Sequence, residues 1–243
     1  MVDDLDFSRS QLTWSDRIQV GNQMASVEQI LSTLPRHMTE ERIRRLREVV
    51  AQRSLHMVPV LENIYDRGNV SAVMRSCEAF GFLRMYLVDA PGARFKAANR
   101  VTRGAEKWLD VKRFGSPCAA AEDLKRLGYQ ICVTDLEATA SIGDLDWSRP
   151  TAVVLGNEKD GVSPEMKALS DRGFRIPMLG FSQSFNISVA AALIFYHARL
   201  EIRALGDRAD LTPSQQSQVL ANYILRGFDN PESLLRAHSL HSL

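Results

Sequence analysis

Short apolar runs of strand length alternate with helical segments from residue 57 onward. The strands predicted from these runs are 57–62, 84–88, 129–134, 152–155 and 174–176. The helices predicted between them are bounded by glycine, serine or proline and span 69–80, 119–127 and 164–169. Strands that alternate with helices are typical of a mostly parallel sheet covered by helices on both faces, so the pattern predicts the α/β class.

The pattern differs on either side of this region. The N-terminal residues carry scattered apolar side chains without a strong period, whereas the segment after them resembles a basic amphipathic helix that Thr39 is suited to cap. A long helix follows Asn186, and a capping box at Thr212 opens a further one. The predicted organisation is a partly helical arm at 1–37, a basic helix at 38–56, the α/β domain at 57–205 and C-terminal helices at 206–243.

Composition narrows the class of protein. The 243 residues are 45% hydrophobic, which is enough for one large core or two small ones. Because 30 Lys and Arg face 29 Asp and Glu, a uniformly basic nucleic-acid coat is excluded. The longest mainly apolar run, 188–196, is about half a bilayer span, and the acidic N-terminus differs from a signal peptide, so we expect a soluble, cytoplasmic protein. Three cysteines without a CxxC pair indicate free thiols.

Candidate chemistry lies just after three predicted strands, where parallel α/β sheets bind ligands. The first segment ends at Asn69, and Arg75 lies off the buried stripe of the helix that follows. Alternatively, Asn69 is a helix cap and Arg75 a solvated side chain.

The second segment holds Gly156, Glu158 and Gly161, and its glycines let the backbone approach a ligand closely. It lacks the Gly-Lys-Ser/Thr of a phosphate loop, and the alternative is an ordinary loop into a capped helix.

The third segment, 176–188, mixes small polar residues with large apolar ones before the most apolar helix of the chain. A simple surface loop would not keep so many apolar side chains. Backbone groups exposed between apolar side chains suit a purine, and Ser184, Asn186 and Ser188 fall near a helix N-terminus.

Together the three segments resemble the three motifs of the SpoU/TrmH family of RNA ribose 2'-O-methyltransferases. Asn69, Arg75 and Gly81 match the first motif, and the second is matched by Leu155-Gly156-Asn157-Glu158 with Gly161. The third is matched by Ile176-Pro177-Met178 followed by Ser184-Phe185-Asn186-Ile187-Ser188. The resemblance covers about residues 39–226 and is strongest to the branch that methylates guanosine 18 of tRNA.

Several further properties are implied by this resemblance. The family fold, the SPOUT fold, is an α/β fold whose C-terminal part forms a deep trefoil knot, a rare exception to unknotted topology. Its members are homodimers that bind S-adenosylmethionine in the knot. The resemblance makes Arg75 the main catalytic residue and Asn69 its orienting partner, with Glu158, Ser184 and Asn186 shaping the site. The residues that it assigns to the cofactor are Thr134, Leu155, Gly156, Asn157, Ile176, Met178, Leu179, Ser184 and Phe185.

RNA affinity would require local basic surface, because the total charge is balanced. Six arginines face three glutamates between residues 36 and 53, and seven cationic residues face two acidic ones between 94 and 113. The alternative for both stretches is a solvated charged face. The RNA-binding residues predicted from these stretches and from the long helix are Arg42, Arg45, Arg53, Arg103, Lys107 and Arg199. The histidines have no metal-ligand spacing, so no metal site is expected.

Two other functions are compatible with the motifs. One is a family enzyme that acts on ribosomal RNA or on position 34 of the tRNA anticodon, and the other is an RNA-binding protein that no longer catalyses. Residues 1–37 are too short for the separate RNA-binding domain of the ribosomal enzymes, and the terminal helices are absent from the minimal anticodon enzymes. The presence of Asn69, Arg75 and Glu158 argues against loss of catalysis.

Overall fold

The computed structural model describes residues 11–89, 104–206 and 211–240. Within these ranges the chain forms two compact units, one built from residues 54–206 and the other from 11–53 together with 211–240. No helix of the described residues is long and apolar enough to cross a membrane.

The smaller unit begins with an antiparallel hairpin of β1 (Arg17–Val20) and β2 (Gln23–Ser26). Helix α1 (Val27–Thr33) and a 3₁₀ turn (Leu34–His37) follow, and α2 (Glu40–Val50) is capped by Thr39, whose side chain accepts the N–H of Arg42. The segment interpreted as an arm therefore contains a hairpin that its irregular apolar pattern did not indicate.

The larger unit contains a six-stranded sheet in which all paired strands are parallel, with the order β5-β4-β3-β7-β6-β8. The strands are β3 (Met57–Glu62), β4 (Arg84–Val88), β5 (Asp110–Phe114), β6 (Gln130–Thr134), β7 (Thr151–Leu155) and β8 (Arg172–Phe174). The helices are α3 (Arg67–Ala79), α4 (Pro117–Arg126), α5 (Pro164–Leu169) and α6 (Ile187–Ala204), with 3₁₀ turns at Ala105–Trp108 and Ile142–Asp144.

Helices α7 (Pro213–Leu225) and α8 (Pro231–Leu240) complete the smaller unit. Thr212 and Gln215 form the predicted capping box at the start of α7. The side chain of Asn222 both accepts from the N–H of Thr13 at 3.1 Å and donates to its carbonyl at 3.1 Å. The N-terminal segment and the C-terminal helices are thus joined by hydrogen bonds between a side chain and the backbone as well as by packing.

Side chains of the central strands alternate between two apolar layers. Along β3, Met57 and Leu61 pack into the layer that contains residues of α3 and α6, whereas Val58 and Val60 pack into the layer that contains residues of α4 and α5. Such alternation follows from the two-residue period of a strand, and it requires helices on both faces. The predicted α/β class with a mostly parallel sheet is therefore confirmed.

Two strands differ from the prediction. Strand β8 ends at Phe174 rather than at residue 176, because Phe174 pairs with Thr134, where β6 ends. Strand β5 was missed, since its sequence Asp-Val-Lys-Arg-Phe is polar for a strand. It pairs only with β4 among the described strands, and an edge strand does not need apolar side chains on both faces.

Candidate active site

A cavity of about 610 Å³ lies at the carboxyl end of the sheet. Its walls include the last residues of three neighbouring strands, Thr134 of β6, Leu155 of β7 and Phe174 of β8, together with the segments that follow them. Ligand sites commonly measure roughly 300–1,000 Å³. The cavity therefore has the position and the size expected of a small-molecule site in a parallel α/β protein.

The loop after β7 folds back on itself and forms one wall of the cavity. Asn157 and Gly161 exchange two backbone hydrogen bonds of 3.1 and 2.9 Å, and Oδ1 of Asn157 accepts the N–H groups of Lys159 and Asp160 at 2.7 and 2.9 Å. A Cβ atom on Gly156 would lie 2.1 Å from the carbonyl carbon of Gly161. Only glycine permits this close approach of the two backbone segments.

Asn69, Glu158 and Asn186 are joined by hydrogen bonds although they come from three separate segments. Nδ2 of Asn69 donates to Oε1 of Glu158 at 2.7 Å, and Oδ1 of Asn69 accepts from Nδ2 of Asn186 at 3.2 Å. Glu158 and Asn186 line the cavity. We refer to these three residues as the polar trio.

The capping role considered for Asn69 is wrong. Asp66 caps α3 instead, because its Oδ1 accepts the N–H of Gly68 at 2.6 Å. Asn69 lies in the first turn of the helix, and its amide is used by Glu158 and Asn186. Asn186 does cap a helix, since its Oδ1 accepts the N–H of Ser188 at the start of α6 at 2.9 Å.

The segment after β8 is extended, and successive side chains alternate between the protein and the solvent. Ile176 and Met178 are partly buried and line the cavity, whereas Pro177 and Leu179 between them are exposed. Leu179 is fully exposed and does not line the cavity, so the prediction that it forms part of the cofactor wall is wrong. The other predicted cofactor residues line it: Thr134, Leu155, Gly156, Asn157, Ile176, Met178, Ser184 and Phe185.

Apart from Glu158, the charged residues of the cavity were not identified from the sequence, although Asp135 directly follows a predicted strand. Nζ of Lys167 lies 2.9 Å from Oδ2 of Asp135. Burial alone would raise the pKa of Asp135, but hydrogen bonds from Lys167 and from the N–H of Glu137 lower it below its usual value. The site therefore presents a carboxylate and an ammonium group side by side. The missed lining residues are Asp135, Leu136, Glu137, Lys159, Asp160, Val162, Lys167, Phe174, Arg175, Gln183 and Ala190.

Arg75 is not among the residues that line the cavity. Its side chain is exposed on α3, and no hydrogen bond or ion pair with another described residue involves it. The guanidinium is thus accessible from solvent.

The predicted RNA-binding residues have different environments. Arg42 and Arg45 are exposed on α2, with Arg45 3.6 Å from Glu48. Arg53 is only 2% exposed, and its Nε donates to the hydroxyl of Tyr223 at 3.1 Å. The prediction that Arg53 contacts RNA is therefore wrong, because its side chain is buried in the core.

The second basic stretch is only partly described. Lys107 is exposed with its Nζ 4.8 Å from the ring centre of Trp108, Arg199 is partly buried on α6, and Arg103 lies outside the described residues. Lys112 and Arg113 form ion pairs of 2.9 and 2.6 Å with Asp123 and Asp89. These ion pairs reduce the positive charge that this stretch offers to RNA. Among the described residues, no group of three or more His, Cys, Asp or Glu side chains could hold a metal ion.

The fold and the cavity define a parallel α/β protein with a cavity of ligand size at the carboxyl ends of its strands. The family model for the SpoU rRNA Methylase family matches residues 56–196. A tRNA (guanosine(18)-2'-O)-methyltransferase of Thermus thermophilus is 38% identical over 192 residues, which are 78% of this chain and 98% of the relative. The chain therefore belongs to the SpoU rRNA methylase family, which confirms the resemblance found in the motifs.

Solved structures agree with this assignment. The crystal structure of the Aquifex aeolicus TrmH/SpoU tRNA modifying enzyme matches with a TM-score of 0.71 and 32% identity, covering 77% of this chain and 97% of the other. The SpoU methyltransferase AviRb of Streptomyces viridochromogenes, crystallised with AdoMet, matches with a TM-score of 0.58 and 24% identity over 65% of each chain. At that identity AviRb shows a shared fold.

Proposed function

We propose that this protein is an S-adenosylmethionine-dependent methyltransferase that acts on the ribose 2'-hydroxyl of guanosine 18 in the D-loop of tRNA. The observation that carries the proposal is the polar trio, in which Asn69 of the first motif bonds to Glu158 and Asn186 in the wall of a cavity lined by the second and third motifs. The Thermus thermophilus relative, named for this reaction, supports the choice of nucleotide because the match spans nearly its whole length. A tRNA substrate would also place the protein in the cytoplasm.

The cavity suits S-adenosylmethionine in its chemistry. Leu155, Ile176 and Met178 provide apolar walls for the adenine ring, and the paired Asp135 and Lys167 offer both charge signs for the zwitterionic amino-acid end. When bound, this cofactor supplies an electrophilic methyl group on a cationic sulfur.

Transfer to a ribose oxygen requires in-line alignment within about 3–3.5 Å and removal of the hydroxyl proton. Arg75 is exposed to solvent, where an RNA substrate could reach its guanidinium. A guanidinium stays protonated in proteins, so we assign Arg75 to binding and charge stabilisation rather than to proton removal. Asn186 donates to Asn69, Asn69 in turn donates to Glu158 and holds it in place, and Ser184 contributes to the cavity wall.

Mass-spectrometric mapping of unmodified tRNA after incubation with the protein and S-adenosylmethionine tests the target. We expect 2'-O-methylguanosine at position 18, and no product on a matched tRNA that carries 2'-deoxyguanosine there. Methylation at position 34 or only on ribosomal RNA would identify a different target. Absence of any product together with absence of cofactor binding in calorimetry would support the non-catalytic RNA-binding alternative.

Substitutions of Asn186 separate its two roles. Asn186→Ala removes the cap of α6 and the bond to Asn69, so we expect a loss of about 1 kcal/mol in the free energy of unfolding and a lower kcat. Asn186→Asp keeps the cap but replaces the amide that donates to Asn69 by a carboxylate that cannot donate, so stability should stay close to wild type while kcat falls. Denaturant unfolding and turnover measured on both variants check this. Equal losses in the free energy of unfolding of Asn186→Ala and Asn186→Asp would show that the loss does not come from the helix cap.

A homodimer is part of the same proposal. Along α6, Val189, Leu193, Tyr196 and Leu200 recur at intervals of three and four residues and are between 41% and 56% exposed. Residues at this spacing share one face of a helix, and an apolar face of this kind is typical of a protein interface. We propose that a second copy of the chain covers this face.

We expect Leu193→Glu to raise the dimer dissociation constant by at least about tenfold, because it buries a charge in an apolar interface. Analytical ultracentrifugation over a concentration series measures this constant. Leu127→Glu is the matched control, since Leu127 is an exposed leucine at the end of α4. An unchanged constant for Leu193→Glu would place the interface elsewhere.

The trefoil knot and the SPOUT fold are proposed from the family. The chain that follows β8 lines the same cavity as the ends of β6 and β7, and a bridge joins Arg175 to Ser141 in the connection between those two strands. An experimental density map traced from residue 130 to residue 190 would decide whether the chain passes through a loop.

A further inference from the structure

Glu62, the last residue of β3, is a buried carboxylate that the reaction described above does not use. It is 1% exposed, and no ion pair found among the described residues involves it. Its oxygens instead accept two hydrogen bonds from Ser163, at 2.9 Å from the backbone N–H and at 2.5 Å from Oγ. A buried carboxylate without hydrogen bonds is costly, and hydrogen bonds to a charged group are strong. Because both bonds come from Ser163, they hold this residue firmly against Glu62.

Ser163 ends the loop that forms the second family motif. Its Oγ accepts the N–H of Met166 at 3.1 Å and caps α5, so the hydroxyl hydrogen is directed to Glu62. Glu62 therefore holds the junction between the loop and α5 at the end of the neighbouring strand.

The residue after Glu62 holds the other end of the same loop. The carbonyl of Asn63 accepts from Nδ2 of Asn157 at 3.2 Å. Asn63 has a φ of 52°, the left-handed region that a non-glycine residue rarely adopts. Backbone strain of this kind persists where the surrounding structure enforces it, often at functional sites.

Glu158 lies between these two attachment points. The loop is thus fixed at Asn157 and at Ser163 to consecutive residues, Glu62 at the end of β3 and Asn63 after it, and it carries the carboxylate that bonds to Asn69. Movement of either attachment would shift Glu158 and the cavity wall formed by this loop.

We infer that Glu62 is a positioning residue that holds the loop 156–163 in the geometry that binds the cofactor and places Glu158. This role rests on the proposed function for its effect on activity, although the attachment itself does not. In Glu62→Gln the side-chain size is kept, but the acceptor loses its charge and one oxygen becomes an NH₂ group that cannot accept, so the Oγ–H···O bond is lost or reversed and both contacts weaken.

The test compares Glu62→Gln and Ser163→Ala with Asp110→Asn. Asp110 is a matched control because it is also a buried carboxylate of the same sheet, 2% exposed and 2.8 Å from Arg84, but it begins β5 and does not line the cavity. Ser163→Ala removes only the Oγ bond and the cap, so it remains available if Glu62→Gln does not fold.

Hydrogen exchange of the 156–163 segment is measured first, because it reports the attachment whether or not the protein is a methyltransferase. We expect about tenfold faster exchange in Glu62→Gln and Ser163→Ala, and no change at this segment in Asp110→Asn. The Kd for S-adenosylmethionine should rise about tenfold in the first two variants, with kcat lowered and the KM for tRNA unchanged.

The outcomes separate the two proposals. Faster exchange without cofactor binding by the wild type would overturn the proposed function and keep the attachment. Lower melting temperatures in Glu62→Gln and Ser163→Ala, with wild-type exchange of this segment and wild-type cofactor affinity, would show that Glu62 supports only the core and would overturn the inference.

Discussion

Replacement of Arg75 by alanine is expected to lower kcat for tRNA methylation by about a hundredfold to a thousandfold, the range seen when a group that stabilises transition-state charge is removed. The side chain is exposed and has no bond or ion pair with another described residue, so its loss should leave the fold intact. Single-turnover kinetics with saturating cofactor measure the methyl-transfer step directly. The Kd for S-adenosylmethionine should stay near the wild-type value, because Arg75 does not line the cavity.

Arg75→Lys tests why an arginine is needed at this position. Lysine keeps the charge but loses the planar fork that binds two phosphate oxygens, so we expect most of the activity to be lost in this variant also. Arg149→Ala is the control, since Arg149 is an exposed arginine just before β7, at the opposite end of the strand from the cavity. Near-full turnover of Arg75→Lys would show that charge alone is sufficient.

Gly156→Ala is expected to abolish measurable binding of S-adenosylmethionine. Its Cβ would lie 2.1 Å from the carbonyl carbon of Gly161, 2.2 Å from the nitrogen of Val162 and 2.3 Å from the Gly161 oxygen. All three are backbone atoms, so no side-chain rotation relieves the overlap and the loop must move away from the strand. Gly156, Gly161 and Val162 all line the cavity, so separating them changes its shape. We therefore expect the Kd for S-adenosylmethionine to rise more than about a hundredfold.

Isothermal titration calorimetry measures this affinity, and circular dichroism shows whether the sheet remains folded. Gly115→Ala is the matched control, because a Cβ atom on Gly115 would have no neighbouring atom within 4 Å and the backbone there does not adopt positive φ. Wild-type affinity in Gly156→Ala would mean that the close approach of the two loop segments is unnecessary for the cofactor.

Local sequence patterns predicted most of the α/β core. The strands at 57–62 and 84–88 have the predicted bounds, because each is a continuous buried run, and so does the helix at 164–169, because Ser163 and Pro164 mark its start. The polar edge strand β5 and the hairpin near the N-terminus were missed, since neither has an apolar run or a helical period. The apolar pattern is therefore informative where an element is buried on both faces and weak where it is not.

Individual side-chain roles were harder to predict. The pattern placed Arg53 on a basic surface, but only packing with Tyr223 shows that it is buried. The third motif predicted a cofactor wall, but the alternation of an extended backbone decides that Met178 faces the cavity and Leu179 the solvent. The buried or paired charges at Asp135, Lys167 and Glu62 gave no signal, because their partners lie in distant segments.

The amino-acid sequence by itself determined the fold class, the family and the three segments that carry the motifs, since each of these depends on residues close together in the chain. Only the tertiary structure decided which side chains meet. Asn69 bonds to Glu158 and to Asn186, which are 89 and 117 residues away, because parallel strands bring their carboxyl ends to one edge of the sheet. Strand order and register create these contacts, and neither is visible in the local pattern of the chain.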